Sequence, residues 1–205
     1  MPEVLLAALF GAILISTLYV FYRDQLYRLL IQETQTATLE DTRGALDTIL
    51  REIRNAGSFT VPTDATCAKD AFGLPLRVVA SDGNSIQIQS DIDEDGACVS
   101  TGENVTYNLF PETASCSVIR RNSVALVGYC SGTSPATDVS IVTPAGSLFT
   151  YFNGLDVPLD PSDATFDPSN IKRVRITFSV QEPNPDPRQG GSVASTLSSS
   201  VAFRN

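Results

Sequence analysis

The chain has 205 residues and a formal net charge of −9, from 23 acidic and 14 basic side chains. A field of this sign repels phosphate backbones, so the composition argues against nucleic-acid binding. The sequence contains no histidine, which removes the commonest general base and excludes a Ser-His-Asp triad. We therefore predict that the protein is not an enzyme.

The first element is an apolar run over residues 4–21, with Glu3 directly before it and no basic residue upstream. As a helix it would be about 27 Å long, close to the ~30 Å hydrocarbon core of a bilayer. A secretory signal peptide would need a basic n-region and a small-residue cleavage site, and neither is clear. A buried core helix is disfavoured because the run is apolar on all sides. Residues 1–24 are predicted to form a transmembrane or filament-core segment.

The helical pattern continues over residues 25–57, where charged residues now separate the apolar ones. An apolar face with the three- and four-residue spacing of a helix is formed by Leu39, Thr42, Leu46, Ile49, Leu50 and Ile53. Gly57 is placed to end the helix in the left-handed conformation. One helix of about 50 residues or more is predicted, with an apolar first half and an amphipathic second half.

The hydrophobic period changes to two in residues 58–205. Strand candidates are RVVA, SIQIQS, NVTYNL, CSVIRR, SVALVGYC, SLFTYF, VRITFSV and the closing SVAFRN. The segments DIDEDGAC, LDVPLDPSDATFDPSN and EPNPDPRQGG are typical of loops. We predict an α+β fold, in which the long N-terminal helix packs on an antiparallel β-sheet domain.

All four cysteines lie beyond the apolar helix, and an even number in a short exported domain favours disulfides over zinc or catalysis. The segment CSVIRRNSVALVGYC is typical of a hairpin, and a turn near Ser123 would place Cys116 opposite Cys130. By elimination Cys67 would then pair with Cys98. Four cysteines permit three connectivities, so the pairing remains a hypothesis at this point.

The segment DIDEDG places Asp91, Asp93 and Asp95 at alternate positions before a glycine, like the first half of a calcium loop. The twelfth position of such a loop is Gly102, and the acid, Glu103, comes one residue later. The alternative is a solvated acidic turn between two strands. Calcium is the only cofactor that the sequence suggests.

Several of these segments together resemble type IV pilins and pseudopilins, in particular minor pilins of the PilW type and J-type minor pseudopilins of type II secretion. They are PEVLLAALFGAILIS, LREIRNAG, IQSDIDEDG with GENVTYNL, IKRVRITFSV and VAFRN. The resemblance covers nearly the whole chain and implies a pilin-like fold. In that family a basic leader ending in glycine is removed, and the mature chain carries two more residues before the acid than the Met1-Pro2 found here.

The resemblance implies that Glu3 pairs with the N-terminal amine of a neighbouring subunit during assembly. The physical argument agrees, since a carboxylate in apolar surroundings is costly unless it is paired. The alternative is that Glu3 lies in the headgroup layer. The implied partners are other minor and major pilins and, before assembly, the inner membrane. The implied location is a single-pass inner-membrane protein with a periplasmic domain, followed by the pilus.

Three functions follow as hypotheses. The first is a minor pilin that primes, caps or joins a type IV pilus, and the second is a minor pseudopilin of a secretion system. The third is a membrane-tethered binding module that does not assemble.

Two features of the sequence bear on the orientation in the membrane. Arg23 and Arg28, which follow the apolar run, favour a cytoplasmic domain, whereas the cysteines favour an exported one.

Overall fold

The computed structural model describes residues 2–59, 63–70, 72–100, 102–130, 139–144, 146–184 and 191–203. It divides into two units, one of residues 1–40 with 184–191 and one of residues 41–183 with 192–205. We describe each unit by itself.

One helix, α1, runs from Pro2 to Asn55 without a break, as the sequence predicts. At ~1.5 Å per residue its 54 residues span about 81 Å. Gly57 follows the helix end with φ +85°, a conformation that costs glycine little. A Cβ atom at this position would lie 2.3 Å from the Arg77 side chain. The tight contact and the positive φ together explain why a glycine stops the helix here.

The buried face of α1 lies in its last four turns. It consists of Thr42, Ala45, Leu46, Ile49 and Ile53. The predicted face is therefore correct in phase, with Ala45 added and with Leu39 and Leu50 only partly buried. The four apolar side chains of this face pack in one hydrophobic core with residues of both sheets, including Ile86, Tyr107 and Phe178.

The described residues of the second unit form ten strands, all paired antiparallel. They are β1 (Val78–Ser81), β2 (Ser85–Gln89), β3 (Asn104–Thr113), β4 (Cys116–Arg121), β5 (Val124–Val127), β6 (Ser140–Val142), β7 (Phe149–Phe152), β8 (Pro158–Leu159), β9 (Arg173–Pro183) and β10 (Ser192–Ala202). A short 3-10 helix, Pro168–Asn170, lies between β8 and β9.

The strands form two sheets. The first is a meander in the order β1-β2-β3-β4-β5, and the second has the order β10-β9-β7-β8, with β6 also paired to β9. The Tyr151 hydroxyl links the two sheets: it lies 2.8 Å from the carbonyl oxygen of Asp82 and 2.9 Å from that of Ser85, and its single proton is shared between these two acceptors. The predicted α+β arrangement is confirmed, and it matches a pilin-like fold.

The last strand differs from its prediction. The sequence places it at SVAFRN, residues 200–205, whereas β10 begins at Ser192 and ends at Ala202. Residues 204 and 205 lie outside the described residues, as does Met1. The error arises because residues 192–199 are mostly Ser, Ala and Thr, which give no strong apolar alternation; their strand conformation comes from pairing with β9 along its whole length.

Candidate functional site

The first half of α1 carries apolar side chains that have no protein cover within the described residues. An 18-residue window there has a mean hydropathy of 2.5 and none of it is buried. Val4, Phe10 and Ile15 illustrate this, with exposed fractions of 71%, 61% and 70%. Each square ångström of apolar surface left in water costs about 25 cal/mol. By length and composition this helix can cross a membrane.

This segment carries few polar side chains. The hydroxyls of Ser16 and Thr17 donate to the carbonyl oxygens of Ile13 (2.9 Å) and Leu14 (2.8 Å), so the helix itself satisfies them. Glu3 is different: it is exposed in the first turn and is the one charged side chain between Pro2 and Tyr22. The positive end of the helix dipole favours an acid there by only about 0.3–1 kcal/mol. Glu3 is thus an exposed charge at the start of the apolar surface.

The four acids predicted to bind calcium come together in the fold. Carboxylate oxygens of Asp91, Asp93, Asp95 and Glu103 all lie within 4.8 Å of one another. The three aspartates belong to the loop between β2 and β3, and Glu103 is the residue directly before β3. The loop is closed by a hydrogen bond from the Ser90 N–H to the Glu103 carbonyl oxygen, at 2.8 Å. This closure brings Glu103 back to the aspartates.

Burial and charge differ among these four acids. Asp91 and Glu103 are buried, with 2% exposed each, whereas Asp93 and Asp95 are exposed. Burial by itself raises the pKa of Glu103, but N–H donors of Ser100, Asp93 and Ile92 outweigh it and hold that pKa below its usual value. Glu103 is thus a buried carboxylate that the loop backbone keeps ionised.

The pKa of Asp93 is affected by the nearby carboxylates. A hydrogen bond from the Asp95 N–H lowers its pKa, but desolvation and the carboxylates of Asp95 and Glu103 outweigh this and raise the pKa above its usual value. A hard cation that prefers oxygen ligands, such as Ca²⁺, would relieve this repulsion. The donor chemistry of the cluster fits calcium, and calcium binding stays a prediction.

The acidic loop is fixed from both sides. The Cys67–Cys98 disulfide ties its far end to the segment after α1, and the Asp64 N–H donates to the Gly96 carbonyl oxygen at 2.8 Å. On the other side, the Asp91 N–H donates to the Ser58 carbonyl oxygen at 2.7 Å.

The second disulfide, Cys116–Cys130, closes the β4–β5 hairpin. Both bonds have the pairing that the hairpin argument predicts.

A calcium-dependent shift in thermal stability is expected. At a free Ca²⁺ concentration a hundredfold above the dissociation constant, binding would stabilise the folded chain by about 2.7 kcal/mol, because only the folded loop gathers the four carboxylates. A D93N/D95N double variant should lose this gain. In chelator it should melt higher than the parent chain, because two like charges are gone. Thermal unfolding in detergent, with calcium and with chelator, measures both effects.

The matched control is D160N/D163N. Asp160 and Asp163 accept the backbone N–H two residues ahead, as Asp93 and Asp95 do, but the metal-capable cluster of acids does not include them. This variant should keep the calcium shift in full. Equal melting temperatures of the parent chain with calcium and with chelator would contradict calcium binding at this cluster.

A polar network that the sequence did not suggest joins the last turns of α1 to the first sheet. The Tyr107 hydroxyl donates to Glu52 Oε2 at 2.5 Å, and Arg121 Nε donates to the same oxygen at 3.0 Å. Burial and the Glu52 carboxylate raise the pKa of Tyr107, so it stays a neutral donor. Tyr107 and Arg121 lie 55 and 69 positions after Glu52 in the chain, so no local motif could reveal this network.

The chain was also compared with known proteins. No family model, curated protein or solved structure gives a significant match.

Proposed function

We propose that this protein is a minor pilin, a structural subunit that primes, caps or joins a type IV pilus. The observation that carries the proposal is the first half of α1, where apolar side chains are exposed on all sides behind a single charged residue, Glu3. Such a surface needs lipid or other apolar helices around it. The family resemblance of the sequence supports the same function.

The dimensions of α1 suit both environments. Its apolar window is about as long as the bilayer core is thick, so the helix can span the membrane before assembly. The same side chains can then pack against the equivalent helices of neighbouring subunits, since a filament core replaces lipid by apolar protein surface. The two disulfides support an oxidising location for the β-rich domain, such as the periplasm.

Glu3 gives this packing a specific partner. A carboxylate within an apolar helix bundle is stable only when a positive group faces it. In an assembly of pilin-like helices that group is the N-terminal amine of a neighbour. The pair would set the axial position of each helix, because no other charged side chain lies in the first 22 residues.

Replacing Glu3 by alanine is expected to lower incorporation into filaments about a hundredfold. Leaving the buried positive group of the neighbour unpaired costs about 3 kcal/mol or more, and each 1.4 kcal/mol is a factor of ten. The amount of the protein in the membrane should not change, because the apolar run is intact. Immunoblots of sheared filaments and of the membrane fraction measure the two quantities.

The matched control is Glu33→Ala, which removes an exposed acid from the same helix beyond the apolar run. Its incorporation should equal that of the parent chain. If Glu3→Ala also leaves incorporation unchanged, Glu3 does not pair in assembly and the membrane-tethered binding module becomes the better hypothesis.

The second candidate function is a minor pseudopilin of a type II secretion system, which would use the same helix and the same acid. A deletion strain separates the two candidates. Loss of surface pili with normal secretion supports the minor pilin, and loss of secretion with normal pili supports the pseudopilin.

A further inference from the structure

The last strand, β10, is a long edge strand. All 11 of its residues pair with β9, from Ser192 opposite Pro183 to Ala202 opposite Arg173, with no shift in register. Within the part of the chain that the structure describes, no strand pairs with its other side. About half of its backbone N–H and C=O groups therefore point away from the sheet, because these groups alternate along an antiparallel strand.

This edge lacks the features that usually protect one. Natural edge strands carry charged residues, prolines or bulges, and β10 has none of these over residues 192–202. Its outward side chains are small and exposed, and two of their hydroxyls are held in place by β9. Thr177 bonds to Ser198 (2.9 Å) and Ser179 bonds to Thr196 (2.5 Å). Within residues 192–202 the strand itself therefore places no charge, proline or bulge in the way of a further strand.

The sequence of β10 indicates which strand fits. SVASTLSSSVA is nearly symmetric about Leu197. Antiparallel pairing of two copies about that residue would therefore place similar side chains opposite each other. The opposed pairs would be Val193 with Val201, Ser195 with Ser199, Ala194 with Ser200, Thr196 with Ser198, and Ser192 with Ala202. Two-fold symmetric contacts require a surface of this self-complementary kind.

We propose that a second copy of this chain pairs antiparallel with β10, with the two Leu197 residues opposite each other. The contact brings no charged side chain of one strand against the other, although each chain carries a net charge of −9. Val193 and Leu197 are half-buried at the edge, and pairing covers them with Val201 and Leu197 of the second copy. The proposal concerns the pairing of two edge strands and does not depend on the function of α1.

Engineered cysteines test the register in the full chain in detergent. All four native cysteines are in disulfides, so an added cysteine is the free thiol. Chains carrying A194C are mixed with chains carrying S200C under mild oxidation. A disulfide-linked heterodimer is expected, because these exposed positions are opposed in the proposed pair. Linking within A194C alone or S200C alone should be about tenfold lower, since six residues separate the like positions, roughly 20 Å.

A mixture of A194C with T196C is the matched control, because it uses the same face with the wrong register. In the proposed pair, residue 194 of one copy and residue 196 of the other are offset by four residues along the strands, about 13 Å, and should not link. Equal linking in all mixtures, linking in none, or linking only to a different protein would each overturn the proposal.

A charge at the edge gives a second test. S198K in both partners of the A194C and S200C mixture places two ammonium groups diagonally across the contact and should lower the linked dimer about tenfold. A164K adds the same charge in an exposed loop and should leave linking unchanged. Near-ultraviolet circular dichroism of both variants establishes that the domain is folded. Undiminished linking in S198K would contradict pairing through β10.

Discussion

Replacing Ile53 by alanine is expected to lower the free energy of unfolding of the β-rich domain by about 2–5 kcal/mol. Ile53 has no exposed surface and lies in the hydrophobic core where the last turns of α1 meet the sheets. The truncation loses the transfer free energy of the removed carbons and leaves a cavity that a helix held by several contacts cannot fill. Denaturant unfolding followed by near-ultraviolet circular dichroism measures the loss.

The control for this change is Ile92→Ala, the same truncation at a side chain that is 63% exposed. It should cost less than about 0.5 kcal/mol, because little apolar contact is lost. If both variants unfold at the same denaturant concentration as the parent chain, the end of α1 is not part of the cooperative core.

Removal of the Cys67–Cys98 disulfide is expected to cost about 3.7 kcal/mol, the second large effect. The bond spans 31 residues, and opening it returns the closure entropy of that loop to the unfolded chain. Alanine is the better replacement for both cysteines, because their positions are buried and a serine hydroxyl there would need a partner. Equilibrium unfolding of C67A/C98A gives the value.

The Cys116–Cys130 bond provides the comparison. It spans only 14 residues, so C116A/C130A should cost about 3 kcal/mol by the same entropy argument. The order of the two losses is the test: a larger loss for C116A/C130A would show that loop closure does not set the contribution of these bonds.

Local patterns were sufficient for much of the fold. The uncharged run after Glu3, the three- and four-residue spacing up to Ile53 and the glycine at position 57 predicted α1 nearly to the residue. Alternation predicted β2 and β9, because the apolar side chains that alternate along each strand are buried. Pattern failed for β6, which has three residues, and for β8, which lies within a predicted loop. It also failed for the start of β10, where small polar residues are strand because β9 pairs with them.

The candidate metal centre was predictable in composition but not in geometry. The aspartates at 91, 93 and 95 are visible as a local motif, and Glu103 was a candidate only by its distance along the chain. Its carboxylate reaches the others because the loop closes on the start of β3, with the Ser90 N–H bonded to its carbonyl oxygen. Such closure depends on strand register, which no short segment encodes.

The sequence by itself determined what is local: an apolar helix led by a single acid, an amphipathic second half, a β-rich domain and a hairpin that can hold a disulfide. These follow from period and composition, which act over a few residues. The tertiary structure decided what depends on distant partners. It joined Glu52 to Tyr107 and Arg121, gathered the four acids of the loop, and left one side of β10 without a strand among the described residues. The physical reason is that contacts between distant segments form only when the whole chain packs.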